Sequence, residues 1–221
     1  MSFSSGERRR VARLEQDRAL VAASDYGASW PHLRWSEAGK DVVFEGQIEI
    51  DEGLGCPEIF EIRIVFGPDY PEKEPEVFET AHRIAHIADR HFYDNGRCCL
   101  WHWLQSSWKG HDPQAILHFL DQIAVFFHRQ LICDTVGEFP GPQLKHGWEG
   151  TRQAMVSLLG SGDLLNVFTD PLLLRRDYPP NSPCPCGSDI KYKRCHQGMV
   201  ERIRHQVSVK QLKLILDKGV A

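Results

Sequence analysis

The sequence predicts an α+β protein: a leading helix, a four-strand antiparallel meander flanked by helices, and a small C-terminal zinc module. Three observations carry that expectation. The runs 42–50 and 59–66 alternate, with Phe44, Gly46, Ile48 and Ile50 and then Phe60, Ile62, Ile64 and Phe66 on one face. Ile116, Leu120, Ile123, Phe127 and Leu131 recur at helical spacing, which marks the main core helix. Cys184-Pro185-Cys186 and, nine residues on, Cys195-His196 offer three thiolates and an imidazole, the donor set of a closed tetrahedral zinc site.

Taken in order, Glu7 to about Ala23 reads as a helix. Val11, Leu14, Arg18 and Val21 fall on one stripe, and Ser4 with Glu7 forms a capping box. Ser24, Asp25 and Gly27 end it. Strands follow at roughly 30–36, 42–50 and 59–66, the last two joined across Asp51-Glu52-Gly53-Leu54-Gly55-Cys56-Pro57, a hairpin loop. Polar residues alternate with the apolar ones, so one sheet face meets water and a helix covers the other. Pro68, Pro71 and Pro75 then forbid helix and fix an extended, turning path before a short strand near 76–79. Residues 80–90 give no clean pattern. Asp112-Pro113 starts the core helix, and another helix covers about 149–159. Residues 177–183 read as a stiff linker, dividing the chain into 1–176 and 177–221. Val200, Ile203 and Val207 suggest a final basic helix.

Charge divides the chain at the same place. Residues 1–174 hold 16 Lys and Arg against 26 Asp and Glu, whereas 175–221 hold 10 against 4. An acidic body with a basic tail implies modules with different partners, or simply a solvated helix face. Nucleic acid is not the expected partner, though the basic tail leaves it open. No run is apolar enough to cross a membrane, and the first residues lack the apolar core of a signal peptide. The expected location is the cytoplasm, where the seven cysteines stay reduced, bind metal or catalyse.

The stretch 91–108 packs Cys98, Cys99, His91, His102, the turn tripeptide Asp94-Asn95-Gly96 and three tryptophans together. In a short extended segment adjacent side chains point to opposite faces, so one thiol is core and the other is accessible. Three chemistries compete for this pair. One is a catalytic thiol with Arg97, His91 or His102 lowering its pKa. The others are a second metal site with His91 and His102, and inert buried cysteines.

Pro183-Cys184-Pro185-Cys186-Gly187-Ser188 through Tyr192-Lys193-Arg194-Cys195-His196 resembles the SEC-C zinc motif, a small interaction module of many bacterial proteins. Phe66-Gly67-Pro68-Asp69-Tyr70-Pro71, Pro75-Glu76-Val77, His91, Gly96-Arg97-Cys98-Cys99-Leu100 and Trp108 resemble, in the same order, the ubiquitin-conjugating enzymes. That resemblance covers roughly 7–135 and implies a ubiquitin-conjugating (UBC-like) fold. It makes Cys99 the thioester-forming cysteine and Cys98 an aliphatic position. The family's His-Pro-Asn is replaced by His91-Phe92-Tyr93, with Asn95 the nearest substitute for its asparagine. The catalytic set it implies is therefore Cys99, His91 and Asn95. The expected partners are a ubiquitin-like modifier, its activating enzyme and a protein target. These departures resemble divergent bacterial relatives encoded in anti-phage operons. A catalytically silent scaffold of the same fold and a Cys–His hydrolase using Cys99 and His91 are the alternatives.

Overall fold

A computed structural model of the chain describes residues 4–51, 57–101, 106, 108–141, 144–145, 147–159 and 178–206. Helix α1 spans Ser5–Ala23, and its start is the capping box read from the sequence: Glu7 N–H donates to Ser4 Oγ, and Ser4 N–H to the Glu7 carboxylate. Its inner stripe is Leu14, Asp17 and Val21, with Val11 exposed. The sequence reading put Val11 and Arg18 on that face. Asp17 takes the inner position because partners satisfy its charge there. Arg13 Nε lies 2.9 Å from it, and the buried Tyr70 hydroxyl donates to it. Arg13 continues to the Gly110 carbonyl at 2.9 Å and the Asp112 carbonyl at 2.8 Å, tying α1 to the loop before the core helix.

A short helix α2, Asp25–Ser29, fills the break after α1, its start capped by Ser24 Oγ. The sheet follows in order β1 (Arg34–Ala38), β2 (Asp41–Ile50), β3 (Glu58–Phe66) and β4 (Glu76–Glu79), antiparallel throughout. The chain reaches β1 four residues later than the run 30–36 suggests, because Trp30 is packed in the core and Leu33 N–H closes back onto its carbonyl. Phe44 pairs with Ile64 and Ile48 with Phe60, so the alternating residues of both long strands share the buried face. Each such side chain taken from water contributes about 2 kcal/mol. Gly46 sits at φ +140°, and a Cβ there would lie 2.3 Å from the His32 carbonyl oxygen. Only glycine lets the two backbones approach so closely.

Helix α3, Ala115–Val136, covers that face. Ile116, Phe119, Leu120, Ile123 and Phe127 are at most 1% exposed, and the Phe127 and Phe60 rings lie 4.7 Å apart. Asp112 caps as expected, but it accepts from Gln114 N–H, and regular helix begins three residues later than Asp112. An aromatic chain leads from sheet to helix through Phe66, Tyr70, Trp108 and Phe119. Trp108 Nε1 donates to the Pro71 carbonyl at 2.9 Å, and Gly110 lies so near that oxygen that a Cβ would be 1.9 Å away. The patternless stretch 80–90 ends in a 3-10 turn, Ala88–Arg90, held from α3 by Gln130.

The chain divides into two compact units, Met1–Leu100 with Ser107–Gly141, and Trp101–Ser106 with Pro142–Ala221. The second contains α4, Gly147–Leu159, and α5, Gln197–Gln206. The expected division at 176/177, Cys56, His102 and Val207 lie outside the described residues. The stretch 178–183 is more than a spacer: Tyr192 N–H donates to Ser182, Lys193 N–H to Pro180, and Pro183 bridges Lys191. No described helix is long and apolar enough to cross a membrane.

Candidate functional site

The first site grows from a turn that closes on itself. Tyr93 N–H donates to the Arg97 carbonyl at 2.9 Å, and Gly96 N–H to the Tyr93 carbonyl at 2.8 Å. Asn95 Oδ1 accepts from Arg97 N–H at 3.2 Å, while Gly96 takes φ +80°. The two cysteines are then fixed from opposite sides. Cys98 N–H donates to Val77 of β4 and Cys99 N–H to His91, both at 2.7 Å. Alternation sends Cys98 into the core, 5% exposed, and leaves Cys99 half-buried.

Their electrostatics differ accordingly. Burial pushes the Cys98 thiol far above its usual value, the backbone N–H of Glu79 opposes this, and the nearby Glu79 charge adds to it. Burial also raises Cys99, but there two neighbours pull the other way: a hydrogen bond from the Tyr93 hydroxyl and the positive charge of Arg97. The Glu74 charge adds to the rise. Arg97 sits with its guanidinium carbon 4.2 Å from the Tyr93 ring centroid and its Nη1 2.6 Å from the Glu76 carboxylate.

Of the three residues expected at this site, Cys99 is accessible, and His91 reaches it through its main-chain carbonyl. The His91 backbone takes φ +56°, and its ring lies 4.3 Å from Phe139. Asn95 is exposed and spends its side-chain oxygen inside the turn. It also lines a groove of about 580 Å³ with Arg63, Phe78, Glu79, His82 and His86. In that groove the buried Glu79 carboxylate holds His86 Nε2 at 2.9 Å and accepts from two backbone N–H groups. Sequence reasoning missed Tyr93. The turn tripeptide was the available signal, since a tight turn over 94–96 brings 93 to 97 and 92 to 98, and so carries Tyr93 toward the thiols.

The second site is compact. Cys184 N–H donates to the Ile190 carbonyl and Gly187 N–H to the Cys184 carbonyl, folding 184–190 into a loop, with Gly187 at φ +79°. Tyr192–Arg194 then forms a 3-10 turn that delivers Cys195 and His196. The ligand atoms of Cys184, Cys186, Cys195 and His196 all lie within 4.8 Å of one another. His196 Nδ1 is 3.2 Å from Cys184 Sγ and 3.1 Å from Cys195 Sγ, and the Cys186 and Cys195 sulfurs are 3.7 Å apart. A tetrahedral metal with bonds near 2.3 Å separates two sulfurs by about 3.8 Å, so this donor set fits a metal ion such as zinc. Burial opposes ionisation of the Cys186 thiol, yet hydrogen bonds with Ser188, Cys184 and Cys195 prevail and lower it to about 6. Burial raises Cys184 to about 12.

Fold and sites together define a two-unit α+β protein with the half-buried Cys99 thiol on its sheet-bearing unit and a Cys3His cluster of metal-binding type. Residues 181–198 match the SEC-C motif, and that span contains all four cluster residues. No curated protein matches the chain significantly.

Proposed function

We propose that the chain is a ubiquitin-conjugating-like acyl carrier with a UBC-like fold. Cys99 takes a ubiquitin-like modifier from an activating enzyme as a thioester and passes it to an amine of a target protein, as part of a bacterial conjugation or anti-phage pathway. The zinc-bearing SEC-C module recruits the target or another partner. The observation that carries this reading is the division of labour between neighbours: Cys98 is core, while Cys99 is half-buried beside the turn, its N–H held by the His91 carbonyl. Its raised pKa suits a carrier, since a more basic thiolate is a poorer leaving group and holds an acyl group longer against water. Order of elements adds support, with a helix, a four-strand meander, a Tyr-Pro turn, the cysteine, a tryptophan and a long helix in sequence.

A catalytically silent scaffold is the second reading, and one observation favours it. Asn95, the substitute for the family's asparagine, uses its side-chain oxygen to hold the turn. Incubation with ATP, a ubiquitin-like protein and its activating enzyme separates the two. A carrier yields an adduct that thiols cleave and Cys99→Ala abolishes. A scaffold yields none.

A further inference from the structure

The groove beside the 94–96 turn holds an imidazole set as an open acceptor. Glu79 ends β4, and its side chain is 0% exposed. Its Oε1 accepts from Ala81 N–H at 3.0 Å and Arg83 N–H at 3.3 Å, and its Oε2 lies 2.9 Å from His86 Nε2. A carboxylate in that accepting role takes the hydrogen from Nε2, and the tautomer so assigned leaves the lone pair on Nδ1. The ring is fixed by Phe92, stacked 4.6 Å away, and by His82 at 4.5 Å. Nδ1 has no hydrogen bond among the described residues, and Gly96 keeps the space beside it: a Cβ there would lie 3.1 Å from Nδ1. Asp94 lines the same groove, exposed and with no ion pair among the described residues.

Around these acceptors negative charge is in excess. Glu79, Asp94 and Glu45 are set against Arg63, whose Nε is committed to Glu45 at 2.6 Å. A carboxylate buried behind a concave surface focuses its field there, and residues 1–174, with 26 Asp and Glu against 16 Lys and Arg, favour the approach of a cation. Val65 and Phe78 add apolar lining for a methylene chain, and about 580 Å³ falls within the range of small-ligand sites. Metal ligation is another use of a carboxylate-held imidazole, but among the described residues only the Cys3His group brings three or more ligand atoms within 4.8 Å. We propose that this groove binds the ammonium or guanidinium of a basic side chain on a partner polypeptide, with His86 Nδ1 accepting a hydrogen bond from it and Asp94 offsetting its charge. Glu79 is a positioning residue that holds the imidazole in its accepting tautomer. The site needs no chemistry at Cys99; under the conjugation reading the partner is the target protein.

Long-range proton–nitrogen correlation spectra of the full chain at about pH 7.5, with His86 assigned by His86→Gln, test this. Free His86 should show a protonated Nε2 and an unprotonated Nδ1; the opposite tautomer overturns the acceptor. Titration with Nα-acetyl-lysine methylamide should shift the Nδ1 resonance saturably with a Kd of about 1 mM, the affinity a good ligand efficiency gives a molecule of this size. Nα-acetyl-norleucine methylamide should not shift it. The exposed change Asp94→Asn should weaken the lysine probe about tenfold, as loss of a charge-assisted contact implies. Glu79→Gln should lower the share of the accepting tautomer and weaken binding with it; if that variant unfolds, Asp94→Asn still decides. An equal response to norleucine, or an unchanged Kd in Asp94→Asn, overturns the cation site. A capped peptide of three alternating lysines and glycines should bind more tightly than spermidine, which carries the same charge. The reverse order overturns the polypeptide partner in favour of a free polyamine. A chain that binds the lysine probe but forms no modifier adduct loses the conjugation reading and keeps this site.

Discussion

Cys98 and Cys99 are adjacent in the chain, yet one is 5% exposed in the core and the other is half-buried beside a hydroxyl and a guanidinium. Cys184 and His196 are twelve residues apart, yet their ligand atoms are 3.2 Å from each other. The contrast teaches that sequence proximity of thiols argues against shared metal binding when the segment is extended. A strand-like backbone turns neighbours away from each other, whereas a loop with a positive-φ glycine followed by a 3-10 turn turns distant residues together. One cluster is thereby suited to single-sulfur chemistry and the other to a closed coordination shell.

Removing the metal from the second cluster should have the largest effect. A module of this size cannot build its own core, so ligand binding supplies its folding energy. The purified chain should hold about one zinc, and Cys184→Ser with Cys195→Ser should lose both the zinc and the amide protection of 178–206. Zinc retained at full stoichiometry in that variant would break the contrast, since the metal would then belong to the central thiols. Next in size, Asp17→Ala should destabilise the sheet-bearing unit by about 3 kcal/mol in thermal unfolding, because Arg13 and Tyr70 lose the buried carboxylate between them. Zinc content should stay unchanged, which sharpens the separation of the two units.

Cys99 alkylation should rise about tenfold per pH unit from 7 toward 9, since burial holds its pKa above the ordinary 9.0 and the thiolate is the minor form throughout that range. Cys98, pushed higher still, should remain unmodified over the same interval. The smallest effect belongs to Cys98→Ala, which should cost about 1 kcal/mol in packing and leave Cys99 reactive. Equal loss of Cys99 reactivity in Cys98→Ala would mean that the pair acts as a unit after all.

Much of this was legible in the sequence because it rests on short-range patterns. The Ser4–Glu7 box, the alternation in β2 and β3, the periodicity of α3 and the Cys3His spacing each depend on a few neighbouring residues. What escaped depends on partners far along the chain. Asp17 reads as a surface acid until Tyr70 and Arg13 are brought to it, fifty-three and four residues away. Tyr93 reads as a lone aromatic until the turn brings its N–H to the Arg97 carbonyl and the Arg97 guanidinium over its ring. His91 reads as a candidate base from its type, whereas its backbone carbonyl is what holds the cysteine.

The hold of Gln130 on Arg90 carries a kinetic consequence for the segment leading to the thiols. Fully buried on α3, Gln130 accepts from Arg90 Nε at 2.7 Å and donates to the Arg90 carbonyl at 2.8 Å, so one amide grips both the side chain and the main chain. Asp134, one helical turn on, adds a 2.7 Å contact to the same guanidinium. Residues 88–91 cannot open without breaking these bonds to the core helix. Their amide protons, which sit in what looks like a surface loop, should therefore exchange with solvent at the slow pace of α3 and in the same cooperative event.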